Sequence, residues 1–224
     1  MASEGCGIPV IHIVDDDLSV LTALSKTLTS AGFRCRPHES GEQFLSAAVG
    51  LRDCVVVDVH LPDMNGIDLL NALRARGHVV PVLVITGFAS IELAVQAMKT
   101  GALDFLAKPF NSTDLIEKVA SCLAVGRLRV AERERHCSAV TKLSALTERE
   151  LEILGKVIGG RTNKAIADIL RISVKTVEAH RARIMEKTGA LSLVDLTRLW
   201  DAAGYAAPAD APAGAVDRRL EIAL

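Results

Sequence analysis

Three carboxylates, a hydroxyl and an ammonium stand apart in this chain because each closes an apolar run. Asp15 and Asp16 follow Val10–Val14, Asp58 follows Val55-Val56-Val57, Thr86 follows Val82–Ile85, and Lys108 follows Leu103–Ala107. Apolar β-branched runs of this length read as strands buried on both faces. In an open parallel sheet the strand carboxyl ends converge on one edge, where ligands bind. Three acids gathered there repel one another unless a cation neutralises them, and hard oxygen donors suit Mg²⁺, which keeps several of its waters. Lys108 is placed to hold a phosphoryl oxygen as a point charge, and Thr86 to donate a hydroxyl hydrogen bond. Together these groups describe an aspartyl-phosphate site with Asp58 as the acceptor.

The neighbouring polar residues have plainer readings. Asp17 reads as the N-cap of the helix that follows, and Asp63 and Asn65 as turn formers. The His60 side chain lies just past the strand end and lines the mouth of the site.

The elements that position these groups alternate strictly. Strands at Val10–Val14, Arg34–His38 (an edge), Cys54–Asp58 (the centre), Val82–Ile85 and Leu103–Ala107 are separated by helices over Leu18–Ala31, Glu42–Val49, Ile67–Arg76 and Ile91–Thr100. A further helix opens near Ser112. Gly32, Gly77 and Gly101 close three of the helices, as C-terminal caps do. Such alternation with short connections demands an α/β doubly wound parallel five-stranded sheet, because right-handed crossovers place helices on both faces.

Charge divides the chain. Residues 1–126 carry 9 Lys/Arg against 14 Asp/Glu, while residues 127–143 and 144–200 each have an excess of three positive charges. An acidic front joined to a mildly basic back suggests two tasks. Mean hydropathy is +0.30, yet no uncharged apolar stretch of about 18 residues is present, so no membrane span is expected. No secretory signal is evident, and the five scattered cysteines lack metal-ligand spacing, which points to reduced thiols in a cytoplasmic protein. The expected organisation is a flexible N-terminus (1–8), an α/β domain (9–126), a helical linker (127–143) interrupted or weakened at Gly126, a small all-α domain (144–206) and a disordered tail (207–224).

The all-α domain opens with a capping box, Thr147-Glu148-Arg149-Glu150. Asn163–Leu170 forms a second helix with Ile166, Ile169 and Leu170 inward. A tight turn at Arg171-Ile172-Ser173 leads to a third helix over Val174–Lys187, and two short helices so joined make a helix-turn-helix. Val177, His180 and Ile184 share the inward face of the third helix. The remaining surface, with Lys175, Thr176, Glu178, Ala179, Arg181, Ala182 and Arg183, suits a DNA major groove. Small alanines permit close approach, and the cations meet phosphates.

In this order, the acid pair, Asp58-x-x-x-Pro62-Asp63-x-x-Gly66, Thr86-Gly87 and Lys108-Pro109-Phe110 resemble the receiver domain of two-component response regulators. The resemblance implies that Asp58 is phosphorylated, that Asp15, Asp16, Asp58 and the His60 backbone carbonyl hold Mg²⁺, and that Thr86, Lys108 and Phe105 respond to the phosphoryl group. It also implies a flavodoxin-like fold and a cis Lys108-Pro109 peptide. Haloacid-dehalogenase-type phosphatases share the nucleophile but carry a second Asp at the place of His60, and this chain lacks the length for their lid. Residues 144–206 resemble a LuxR-type DNA-binding domain, in which Leu193, Leu196 and Leu199 of a fourth helix form the dimer contact. Nearly the whole ordered chain is thus similar to NarL/FixJ family regulators. That implies phosphorylation by a cognate sensor histidine kinase, homodimerisation, DNA binding, contact with RNA polymerase, and no enzyme activity beyond Mg²⁺-dependent self-phosphorylation and dephosphorylation. The competing reading is a phosphorylation-independent regulator or a protein-binding adaptor.

Overall fold

The structure is a computed structural model describing residues 8–87 and 90–206. The expected disordered tail, and the flexible N-terminus apart from Ile8, lie outside the described residues. Chain order is β1 (Val10–Val14), α1 (Leu18–Ser30), β2 (Arg34–His38), α2 (Gly41–Leu45), β3 (Cys54–Asp58), α3 (Gly66–Ala75), β4 (Val82–Thr86), α4 (Ile91–Lys99), β5 (Asp104–Ala107) and α5 (Ser112–Ser144). It continues with α6 (Glu148–Ile158), α7 (Asn163–Leu170), α8 (Val174–Thr188) and α9 (Leu193–Ala202). The chain divides into two compact units, Met1–Val130 and Ala131–Leu224.

The first unit is the expected parallel five-stranded sheet, ordered β2-β1-β3-β4-β5 with β3 at its centre and β2 at an edge. Strand side chains alternate between two helical layers. Cys54 and Val56 of β3 face Leu21, Leu24 and Leu28 of α1 and Val119 and Leu123 of α5, whereas Val55 and Val57 face Ile67, Leu70 and Leu73 of α3. Burial on both faces explains why β3 and β4 are continuous apolar runs rather than alternating ones. The chain reverses between β1 and β3, the switch point at which such sheets bind ligands.

Two expectations about helices are corrected. α2 is short and ends at Leu45 rather than Val49. α5 runs unbroken through Gly126, so the linker residues 127–143 fall within one 33-residue helix. A single internal glycine costs only about 1 kcal/mol relative to alanine, and its neighbours are good helix formers.

The second unit packs α6–α9 around Leu143, Ile153, Leu154, Val157, Ile166, Ala167, Val177, Ile184, Leu196 and Trp200. The α6 capping box is present, with the Thr147 amide donating to Glu150 Oε2 at 2.9 Å. Ile169, expected inward, is 51% exposed. The inward face of α7 instead runs through Ile166, Ala167 and Leu170, because a helix places positions 0, 1 and 4 of this run on one side.

Candidate functional site

The sheet topology brings the predicted acids to one place. β1 and β3 are adjacent, so Asp15 and Asp58 emerge side by side, and β5 delivers Lys108 from the other side of β4. Lys108 Nζ donates to Asp15 Oδ2 and to Asp58 Oδ1, each at 2.8 Å. Both carboxylates are buried, Asp15 2% exposed and Asp58 6%. Burial alone disfavours the Lys108 ammonium, but its bonds to Asp15 and Asp58 outweigh that, and its pKa is raised above the ordinary lysine value.

Each remaining oxygen is oriented by backbone. The His60 amide donates to Asp58 Oδ2 at 2.6 Å, and the Asp17 amide to Asp15 Oδ1 at 3.0 Å. Gly66 lets α3 begin against β3, since a Cβ there would collide with the Asp58 carbonyl oxygen. Asn65 caps α3 through a 2.8 Å bond from the Ile67 amide, and Asp17 caps α1 through one of the same length from the Ser19 amide. The exposed His60 pairs by a backbone bridge with Asn65.

Thr86 is fully buried at the end of β4, and its carbonyl accepts the Lys108 amide at 2.8 Å. Phe105 is half-buried and packs on the α3–α4 side of the core. The Lys108-Pro109 peptide is cis.

Asp15 and Asp58 supply two hard carboxylates to one pocket, with Asp16 exposed on the same loop. That donor chemistry fits a small divalent cation that keeps water in its shell. Here the ammonium of Lys108 lies between the two carboxylates. Among the described residues no three His, Cys, Asp or Glu side chains converge tightly enough to chelate an ion by themselves.

In the second unit α8 follows α7 through Arg171, which takes the left-handed conformation at φ 53°. Ser173 caps α8, accepting the Thr176 amide at 3.0 Å. Lys175, Thr176, Glu178, Ala179, Ala182 and Arg183 are exposed on α8 as expected. Arg181 differs: it is half-buried, and its Nη1 donates to Asn163 Oδ1 at 2.7 Å, bracing α8 against the start of α7. Counting positions from Val177 and Ile184 places Arg181 on the packed side, a periodicity its charge had obscured. His180 is half-buried, with Nδ1 enclosed and unpartnered. Of the three expected dimer-contact leucines, Leu196 is only 4% exposed and belongs to the core of its own unit, and Leu199 is half-buried against it. Leu193 is 46% exposed, beside Leu191 at 92% and Val194 at 58%, two surface residues that the leucine spacing did not single out.

Residues 11–120 match the family model of the response regulator receiver domain, and residues 144–200 that of bacterial regulatory proteins of the luxR family. Over 201 residues the chain is 40% identical to the transcriptional regulatory protein FixJ of Azorhizobium caulinodans, covering 89% of this chain and 95% of that protein. It is 38% identical to the transcriptional regulatory protein TdiR of Thauera aromatica, covering 83% and 82%. Among solved structures, response regulator StyR superposes with a TM-score of 0.76 at 35% identity, covering 87% of this chain and 99% of that one.

Receiver fold, acid pocket and helix-turn-helix together define a transcriptional response regulator. More narrowly, the chain belongs to the NarL/FixJ family, with a receiver domain followed by a LuxR-type DNA-binding domain. Among the described residues no helix is long and apolar enough to cross a membrane.

Proposed function

We propose that this regulator is switched by phosphorylation of Asp58. The observation that carries the reading is the Lys108 ammonium held 2.8 Å from both Asp15 and Asp58, which means that nucleophile, acid partner and counter-charge share one pocket. Bound Mg²⁺, held by Asp15, Asp16, Asp58 and the His60 carbonyl, would supply the charge that lets phosphoryl oxygens approach these acids.

An Asp58 carboxylate oxygen attacks the phosphorus of a phosphohistidine on the cognate sensor kinase. The phosphorus–nitrogen bond breaks, and its electron pair leaves on the imidazole. Lys108 then pairs with a phosphoryl oxygen instead of the Asp58 carboxylate. The buried Thr86 hydroxyl turns toward the new group, and Phe105 moves into the space released. Because the Thr86 carbonyl accepts the Lys108 amide, the two ends of β4 and β5 respond together.

This change re-forms the surface of α4 and β5, and two receivers pair on it. The pair presents two α8 helices to half-sites about one DNA turn apart. Carrying the population from mostly inactive to mostly active takes about 5.5 kcal/mol of differential stabilisation. DNA-bound dimers then regulate transcription in the cytoplasm through contact with RNA polymerase. The domain limits that go with this reading are 9–126 for the receiver and 144–206 for the DNA-binding domain.

The test is DNA affinity measured with and without acetyl phosphate and Mg²⁺. Wild type is expected to tighten and Asp58→Asn to stay at its basal affinity. Equal tightening in both proteins defeats phosphorylation gating, and absence of any DNA footprint favours the protein-binding adaptor.

A further inference from the structure

Three polar side chains lie buried in a row that phosphoryl transfer does not use. His12 on β1 is 1% exposed, His38 at the end of β2 is 4% exposed, and Asp53 just before β3 is 8% exposed. His12 Nε2 lies 3.3 Å from Asp53 Oδ2, and His12 Nδ1 lies 3.0 Å from His38 Nε2. Asp53 is anchored in turn, accepting the Val10 amide at 2.9 Å and the Gly50 amide at 2.6 Å. Phe44 packs edge-on against both imidazoles. With Asp53 ionised, one set of tautomers satisfies the row: His12 Nε2–H donates to Asp53, and His38 Nε2–H donates to His12 Nδ1.

Buried polar groups are costly unless hydrogen-bonded, and apolar side chains of similar volume would fill this space at lower cost. What the hydrogen bonds add is direction. β2 is an edge strand, held to the sheet on one side only. The carbonyl of its last residue, His38, accepts the Asp15 amide at 3.2 Å. Asp15 in turn presents Oδ2 to Lys108.

We propose that Asp53, His12 and His38 form a positioning strut, which fixes the end of the edge strand and, through the His38 carbonyl, orients Asp15 in the phosphoacceptor pocket. The inference rests on the reading of Asp15 as a cation-holding acid. The two histidines touch neither phosphoryl group nor cation and act only through Asp15. A strut of this kind sets how well the pocket holds its cation without contributing a ligand.

The experiment uses the full chain and two readouts. The first is amide hydrogen exchange at Asp15 relative to Val57 in the metal-free protein, a ratio that rises only when Asp15 opens locally and that general loss of stability does not raise. The second is Mg²⁺ affinity by calorimetry. His12→Leu is expected to raise the exchange ratio at least tenfold and to weaken Mg²⁺ binding at least fivefold. Leu73→Ala, a core truncation outside the row, is expected not to raise the ratio and to leave Mg²⁺ affinity within twofold. An unchanged ratio in His12→Leu, or an equal rise in Leu73→Ala, overturns the strut. Should His12→Leu fail to fold, Asp53→Asn carries the same test, with a threefold rise in the ratio expected and no rise counting against it. A wild-type chain that binds no Mg²⁺ while the exchange ratio still rises in the variant sinks the cation reading and leaves the strut standing.

Discussion

The Asp63 carboxylate accepts the Glu42 amide at 2.7 Å, so the loop leaving β3 caps a helix that begins earlier in the chain. It also accepts the Gly41 amide at 3.1 Å, while Ser40 caps the same turn through the Gln43 amide. Burial pulls the Asp63 carboxyl upward, but these amide bonds outweigh it and hold the pKa below the usual carboxylate value. Asp63→Ala is expected to cost about 1 kcal/mol, the usual loss for a helix N-cap, and Asp63→Asn much less. Urea unfolding followed by circular dichroism measures both. Equal midpoints for Asp63→Ala and wild type would show that Ser40 caps α2 unaided.

Gly66 is the second restraint on the same loop. An added Cβ would run into the Asp58 carbonyl oxygen, which is backbone and has little room to yield. Gly66→Ala should therefore destabilise the receiver by about 1–3 kcal/mol, the range for overpacked sites. It should also slow labelling of Asp58 by acetyl phosphate, because the displaced segment carries the His60 amide that orients Asp58 Oδ2. A variant with wild-type stability and labelling rate would mean that α3 shifts away without disturbing Asp58.

Acid should loosen the DNA-binding domain through Glu150. The Lys187 ammonium beside it, joined by the Thr147 amide, holds its carboxyl down to about 2 from an ordinary 4.5. Nζ of Lys187 lies 2.7 Å from Glu150 Oε2. With the folded pKa below the unfolded one, this contribution to stability is fully present above pH 4.5. It is lost as pH falls from 4.5 toward 2. Trp200, the single tryptophan, sits in this unit's core and reports the change by fluorescence. Lys187→Met should move the acid transition to higher pH, and an unmoved transition would assign the acid response to other carboxylates.

Much of the fold was legible because its signals are local. Four apolar runs, each ending in a polar group, mark β1, β3, β4 and β5, and Asp17, Ser90, Thr147 and Ser173 announce helix starts as caps. The convergence of Asp15, Asp58, Thr86 and Lys108 followed from parallel strand order alone. What escaped depends on distant partners. Nothing near Asp63 announces the α2 amides, and nothing near His12 announces His38 or Asp53, which pair with it across strands. Gly126 read as a helix break because its neighbours' propensities were weighed less than its own. Leu196 was expected at a contact only through the resemblance to LuxR-type domains, and a family likeness does not tell which leucines of this helix its own core takes up.

Two arginines on α8 now predict different phenotypes. Arg183 is exposed, whereas Arg181 is half-buried and bonded to Asn163. If Arg183 meets a DNA phosphate, Arg183→Ala should weaken binding to specific and non-specific DNA alike. The slope of log affinity against log salt should then fall by about one unit, with sequence preference unchanged. Arg181→Ala should instead cost stability, about 1–2 kcal/mol for a lost charged hydrogen bond that leaves Asn163 unpaired. Its effect on DNA should come through a misplaced α7, with little change in salt slope. Fluorescence anisotropy across a salt series, set beside urea unfolding of each variant, separates the two. A salt slope that drops by one unit in Arg181→Ala, at unchanged stability, would show that Arg181 leaves Asn163 to contact phosphate.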